Sequence, residues 1–227
     1  MAAKPMAPSS TSQTGIDPHR DCAACTRLRD FRELHRAREP QWHNAPVPTW
    51  IDPRGEDKVE LLIIGLAPGL RGANRTGRPF TGDYAGDLLY ATLAKFGLAE
   101  GEYGANPKDG LALRRTAITN AVRCVPPENK PVGAEINNCR PYLERTILRF
   151  PRLRALMTLG KISHDSTLRT LGERVAAHPF RHDGSYSVGR YQIFSSYHCS
   201  RYNTNTGRLS EAMFEDVFRN IARFLGE

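Results

Sequence analysis

No stretch of the 227-residue chain is long and apolar enough for a transmembrane helix, which needs about 20 mostly apolar residues. The first residues also lack the apolar core of a secretory signal, so a cytoplasmic protein without a membrane partner is expected. The opening segment, Met1 to Asp17, is built from Ala, Pro, Ser, Thr and Gln with almost no large apolar side chain. That composition cannot bury a core, and it predicts a disordered tail over 1–17 ahead of a single domain over 18–227. The tail has no arginine and no amphipathic pattern, which leaves little support for a targeting presequence. The two common phosphate-binding signatures are missing as well. The longest glycine-rich stretch is neither G-x-G-x-x-G nor G-x-x-x-x-G-K-[ST], so dinucleotide and P-loop sites fail on spacing.

Cysteine is scarce, with five in the chain, but four of them are placed suggestively. Cys22 and Cys25 form C-x-x-C at the opening of an expected helix over 22–38, and Cys124 and Cys139 lie far downstream beside a proline and within a helix. In a reducing cytosol such a set points to metal or cluster ligands rather than disulfides. A redox C-x-x-C normally follows a strand, whereas this pair follows the tail. Zinc and a [4Fe-4S] cluster both take four thiolates, and spacing does not separate them. Cys199 stands apart and is expected to be unligated.

The formal charge is +8. Its surplus is mainly arginine, which suits bidentate phosphate contacts and stacking on bases, so a polyanion is the natural partner.

The chain is organised around Gly65 to Asp83, GLAPGLRGANRTGRPFTGD. The apolar run Val59 to Ile64 before it reads as a buried strand, and Tyr84 to Phe96 after it reads as a helix presenting Leu88, Leu89, Leu93 and Phe96. The glycines and prolines between them argue against regular structure and let the backbone approach a ligand closely. The pattern then repeats: a strand ending in Asn120, a helix over 134–150, a strand over 155–159, a helix to Leu171, an irregular stretch over 172–189 and a strand over 191–196. An amphipathic helix over 210–225 is capped by Ser210. The proline-rich segment 40–53, with Trp42 and Trp50, is expected to cover the core rather than join a sheet. Alternating strands and helices predict a three-layer α/β/α domain with a central, mostly parallel sheet. Asp83, Asn120 and His198 all follow strands and should meet at one sheet edge, where such folds bind ligands.

Three segments, GLAPGLRGANRTGRPFTGD, TNAVRCVPPENKP and HCSRYNTNTGRLS, together resemble the three motifs of the uracil-DNA glycosylase superfamily, and are most similar to those of its family 5. The four cysteines resemble those of the iron-sulfur glycosylases of families 4 and 5. The resemblance covers nearly the whole chain from Cys22 onward. It implies that Cys22, Cys25, Cys124 and Cys139 ligate a [4Fe-4S] cluster, with zinc in the same site as the alternative. It further implies that Phe80 stacks on the extruded base, with Gly65 and Ala67 beside it, while Asn120 reads the Watson-Crick edge. By the same resemblance His198 donates to the pyrimidine O2, Asp83 supplies the carboxylate that assists cleavage, and Asn129 orients Asp83 or the attacking water. Arg75, Arg78, Ser200 and Arg201 would contact DNA, and Arg201 with Tyr202 would form a wedge.

Two positions depart from that pattern. Leu66 stands where many relatives carry a polar residue that activates water, which shifts weight to Asp83. Cys199 replaces a proline in the third motif and is expected to loosen its backbone. The function implied is hydrolysis of uracil, and of other deaminated bases such as hypoxanthine, from DNA by a monomeric enzyme at the nucleoid. A non-catalytic iron-sulfur damage sensor and a cytosolic cysteine-metal redox protein are the competing readings.

Overall fold

The computed structural model describes residues 15–226, so the tail expected over 1–17 falls mostly outside the described residues. Asp17 is an exception. Its Oδ1 accepts hydrogen bonds from the Thr49 amide at 3.0 Å, the Thr49 hydroxyl at 2.9 Å and Arg123 Nη1 at 2.8 Å, so the tail boundary belongs before it. The strand order is β1-β5-β2-β6-β8-β7, where β1 is Trp50–Ile51, β2 Leu61–Gly65, β5 Thr116–Asn120, β6 Ala155–Leu159, β7 Gly184–Val188 and β8 Tyr191–Ser196. β5, β2, β6 and β8 run parallel, and β1 and β7 close the edges antiparallel. A separate hairpin pairs β3, Ala99–Glu100, with β4, Ala112–Leu113.

Residues 61–64 are wholly buried, as expected for a central parallel strand covered on both faces. Their alternation separates two cores. Leu61 and Ile63 face α3, Tyr84–Lys95, and α7, Glu211–Leu225, whereas Leu62 and Ile64 face α4, Gly133–Arg149, and α5, Lys161–Thr170. Each large aliphatic side chain so buried is worth about 1.5–3 kcal/mol. The two helical layers are thereby locked to the sheet, giving the three-layer architecture expected. Ser210 caps α7 by accepting from the Met213 amide, as its position in the sequence suggests. Register sets the site: Gly65 pairs with Asn120 and Leu159 with Ser196, so these strands end level with one another at the carboxyl edge.

Several expectations fail on short elements. Trp50 and Ile51 do join the sheet, because an edge strand pairs on one side only and tolerates the prolines around it. Trp50 nevertheless also covers the core, as expected. The stretch 172–189 contains β7, whose polar GSYSV sequence hides its pairing with β8. α1 spans Thr26–Arg38, so Cys22 and Cys25 precede the helix, with Cys25 at its N-cap. α2, Ala73–Thr76, forms inside the glycine-rich loop, and α6, Arg201–Asn205, forms after β8. No helix among the described residues is long and apolar enough to cross a membrane.

Candidate functional site

The carboxyl edge of the sheet opens into a cavity of about 420 Å³ whose walls include Ala67, Phe80, Asp83, Asn120, Asn129 and His198. Ser200 and Arg201 stand on its margin. Six side chains singled out from three distant segments therefore share one space.

Gly65, the last residue of β2, is bounded by the side chains across from it. A Cβ there would lie 2.4 Å from Asn120 Oδ1 and 2.7 Å from the Phe80 ring, so only glycine lets both side chains reach the pocket. The Phe80 ring stands 5.9 Å from that of His198 with 30° between planes. Phe80 holds a φ of +51°, a left-handed conformation uncommon for an aromatic residue and the kind of strain that gathers at functional sites. Asn129 and its neighbour Glu128 are left-handed too, with φ of 57° and 55°.

Asp83 is the N-cap of α3 by position; its side chain makes no full capping hydrogen bond, though its carboxyl faces the Ala85 and Gly86 amides of the first turn. Gly72 and Gly69 make room for it: a Cβ on Gly72 would sit 2.4 Å from Asp83 Oδ2, and one on Gly69 3.2 Å away. Asp83 is exposed as a residue, yet the protein packed around its carboxyl raises its pKa above the usual 3.8. The nearby Ala85 and Gly86 amides pull the other way. His198 lines the same wall space, and burial pushes its imidazole down to about 4. It is neutral at physiological pH and keeps one ring N–H to donate.

The third motif is held firmly. Cys199 is wholly buried and its thiol donates to the Ala85 carbonyl at 3.4 Å, tying His198 to the start of α3 beside Asp83. The expected loosening at the missing proline is therefore absent. Asn203 Nδ2 donates to the His198 carbonyl at 2.8 Å, and Ser200 caps α6 by accepting from the Asn203 amide. Arg201 lies over the Tyr84 ring at 5.1 Å, and the next residue, Tyr202, is 73% exposed.

Of the arginines assigned to DNA, Arg75 is exposed but lines a neighbouring hollow with Arg20, Trp42 and His43 rather than the pocket. Arg78 does not face DNA at all. It is 5% exposed and makes a bidentate pair with Asp109 at 2.8 and 2.6 Å beneath the rings of Trp50, Tyr90 and Tyr103. Sequence reading missed Asp109 and Tyr103 because they lie in the polar hairpin loop GEYGANPKDG, which carries no motif.

The four cysteines flank a second, small hollow roofed by Leu28 and Val122. Among the described residues no three His, Cys, Asp or Glu side chains come together closely enough to hold one metal ion. The zinc alternative is thus a poor match, since four sulfurs would need to converge at about 2.3 Å from the ion. The surroundings do fit a larger thiolate-bound group. Arg32 Nη1 points at Cys124 Sγ at 3.7 Å, the Arg123 amide at Cys139 Sγ at 3.3 Å and Asn138 Nδ2 at Cys25 Sγ at 3.5 Å. Burial pushes the Cys124 thiol up to about 12 and Cys139 to about 11, so these thiolates need a cation to form. The Nε atoms of the buried Arg32 and Arg123 make no hydrogen bond, although Arg32 pairs with Glu33 and Arg123 with Asp17.

The profile of the uracil DNA glycosylase superfamily matches residues 53–222, and the chain belongs to that superfamily. Over 212 residues, 90% of this chain and 94% of the relative, it is 42% identical to the type-5 uracil-DNA glycosylase of Thermus thermophilus. It is 36% identical to the type-5 uracil-DNA glycosylase of Pyrobaculum aerophilum over 91% of this chain and 90% of that protein. A type-4 uracil-DNA glycosylase of Sulfurisphaera tokodaii is 31% identical over 72% of this chain and 70% of its own length.

Proposed function

We propose that the protein hydrolyses the N-glycosidic bond of uracil in DNA, leaving an abasic site. The observation that carries this reading is the single cavity that joins Phe80, Asp83, Asn120, Asn129 and His198 at the carboxyl edge of the sheet, in a chain belonging to the glycosylase superfamily.

The base must leave the duplex first, at a cost of a few kcal/mol that stacking and phosphate contacts offset. Phe80 stacks on it, Gly65 and Ala67 leave the room, and Asn120 pairs with its Watson-Crick edge. As the C1′–N1 bond breaks, its electron pair moves onto the base and positive charge grows on the sugar. Neutral His198 donates its N–H to O2 of the departing uracil, and the Asp83 carboxylate faces the sugar cation. Both interactions are stronger in the transition state than in the ground state, which is what accelerates the reaction. Water, oriented by Asp83 and Asn129, forms the new bond to C1′ and gives its proton to the carboxylate. The leaving uracil anion is then protonated from solvent. The crowding around its carboxyl that raises Asp83 makes it a better base, and burial that lowers His198 keeps it a hydrogen-bond donor rather than an acid.

Cys22, Cys25, Cys124 and Cys139 would hold a [4Fe-4S] cluster, which supplies structural cross-linking of the DNA-facing loops rather than chemistry at the base. Arg75, Ser200, Arg201 and Tyr202 meet the backbone and the gap in the stack. The enzyme acts as a monomer on chromosomal DNA in the cytoplasm. No observation favours the damage-sensor or redox readings over excision.

The test is incubation with labelled duplexes holding one uracil, one hypoxanthine or only normal bases, followed by alkali, with wild type beside Asp83→Ala. Scission at uracil that collapses in the variant is expected. DNA binding without release of any base would replace the enzyme reading with the sensor.

A further inference from the structure

The turn that carries both Phe80 and Asp83 is not self-supporting. Within the five residues Pro79 to Asp83, Phe80 is left-handed at φ +51°, a conformation that needs support from outside, while Gly82 at +90° takes its turn without strain. Besides the Thr76 hydroxyl, which donates to the Thr81 carbonyl at 3.1 Å, three side chains give it. The Tyr90 hydroxyl donates to the Pro79 carbonyl, and Arg78 Nε donates to Thr81 Oγ1 at 2.7 Å. The third is Tyr103, whose hydroxyl donates to the Phe80 carbonyl at 3.3 Å and accepts the Gly82 amide at 3.2 Å. One hydroxyl thus clamps the peptide groups on either side of Thr81, directly after the strained Phe80.

Tyr103 comes from the loop between β3 and β4, outside all three motifs. That loop is itself fixed by Asp109, which accepts from the Gly104 and Leu111 amides at 3.0 Å each as well as from Arg78. The fit around the hydroxyl is close: a Cβ on Gly86 would lie 2.0 Å from the Phe80 carbonyl and 2.4 Å from Tyr103 Oη. Tyr103 is not among the residues lining the cavity, so it touches no base.

We infer that Tyr103 is a positioning residue for base excision, acting through the Phe80–Asp83 turn to hold the stacking ring and the carboxylate in register. This rests on the roles proposed above for Phe80 and Asp83. The hairpin loop that carries it is therefore part of the catalytic apparatus, although it holds no catalytic group.

Tyr103→Phe removes the hydroxyl and keeps the ring in contact with Tyr90 and Arg78. The single-turnover rate of uracil release is expected to fall about tenfold, with the Kd for DNA carrying an abasic site within twofold and the melting temperature within a few degrees of wild type. On a Phe80→Ala background the same substitution should cost clearly less, because part of what it positions has gone. Three results overturn the inference. One is a Tyr103→Phe rate equal to wild type while Phe80→Ala and Asp83→Ala are slow, which leaves the site reading intact. Another is a loss no larger than the drop in folded protein, or equal on both backgrounds. The last is Phe80→Ala and Asp83→Ala both as fast as wild type, which removes the site reading and this inference together.

Discussion

Replacing Asp109 by Asn would test how much of the fold depends on the pair beneath the active-site loop. In the native protein both side chains are only 6% exposed, and Asp109 takes two charge-assisted hydrogen bonds from Arg78. The substitution removes the charge and keeps the shape, so the guanidinium stays under the Trp50 ring at 4.7 Å with one acceptor left at position 109 beside Thr81 Oγ1. Breaking a buried pair from one side costs about 3–5 kcal/mol, and the retained amide oxygen favours the lower figure, about 3 kcal/mol. For a chain of this size that is a fall in Tm of about 6–12 °C. Urea and thermal unfolding measure it directly. The Arg78 hydrogen bonds hold the Asp109 carboxyl well below its ordinary 3.8, with burial opposing and the Leu111 and Gly104 amides assisting. A carboxylate lowered on folding stabilises at pH above its unfolded pKa, and that stability is lost as pH falls through the folded one. The gap between wild type and variant should therefore be flat from about pH 5 to 8 and close as pH drops below 3.8. A gap under about 1 kcal/mol at pH 7, or one that widens in acid, would refute the reasoning.

Three further outcomes follow from the site. Gly72→Ala places a methyl 2.4 Å from Asp83 Oδ2, so the rate of excision should fall at least about tenfold while affinity for DNA holds; an unchanged rate would mean the carboxylate can stand elsewhere. The rate should rise with pH through a single limb above 3.8, set by ionisation of Asp83 and abolished in Asp83→Asn, with His198 already neutral above about 4. A limb that disappears in His198→Ala instead would assign the titration to the wrong group. Finally, the logarithm of the DNA association constant should fall against log salt with a slope on the order of −3, from the exposed Arg71, Arg75 and Arg201 at about −0.9 per phosphate contacted; a slope near −7 would show that most of the +8 charge faces DNA.

The parallel strands were legible because each is a short apolar run ended by a glycine or polar cluster, and α7 because its apolar residues recur at helical spacing. Asp83, Asn120 and His198 could be placed at one edge for the same reason: each follows a strand, and the strands run in parallel. The elements that were hidden are those whose identity depends on a partner. β1 is two residues among prolines, recognisable only once β5 lies beside it, and β7 is polar and pairs on one side alone. α2 and α6 span four and five residues, too few to show a period.

The arginines make the same point about chemistry. In the sequence Arg75 and Arg78 stand three apart in a basic, glycine-rich loop, and nothing local distinguishes a DNA contact from a core cation. The difference lies at Asp109, 31 positions away, which reaches Arg78 and not Arg75. Arg32 is likewise drawn inside beside the Cys124 thiol and Arg123 beside Asp17, Thr49 and Thr146, and Arg115, Arg152 and Arg154 converge on the one buried side chain of Glu60. Because burial selects cations by what they pair with, net charge overstates the surface available to a phosphate backbone. The cations that remain outside near the pocket, Arg71, Arg75 and Arg201, lie on the loop after β2 and on α6, the two segments that frame the cavity. An extruded base would therefore enter between them, with Phe80 behind it and the hairpin loop keeping Phe80 in place.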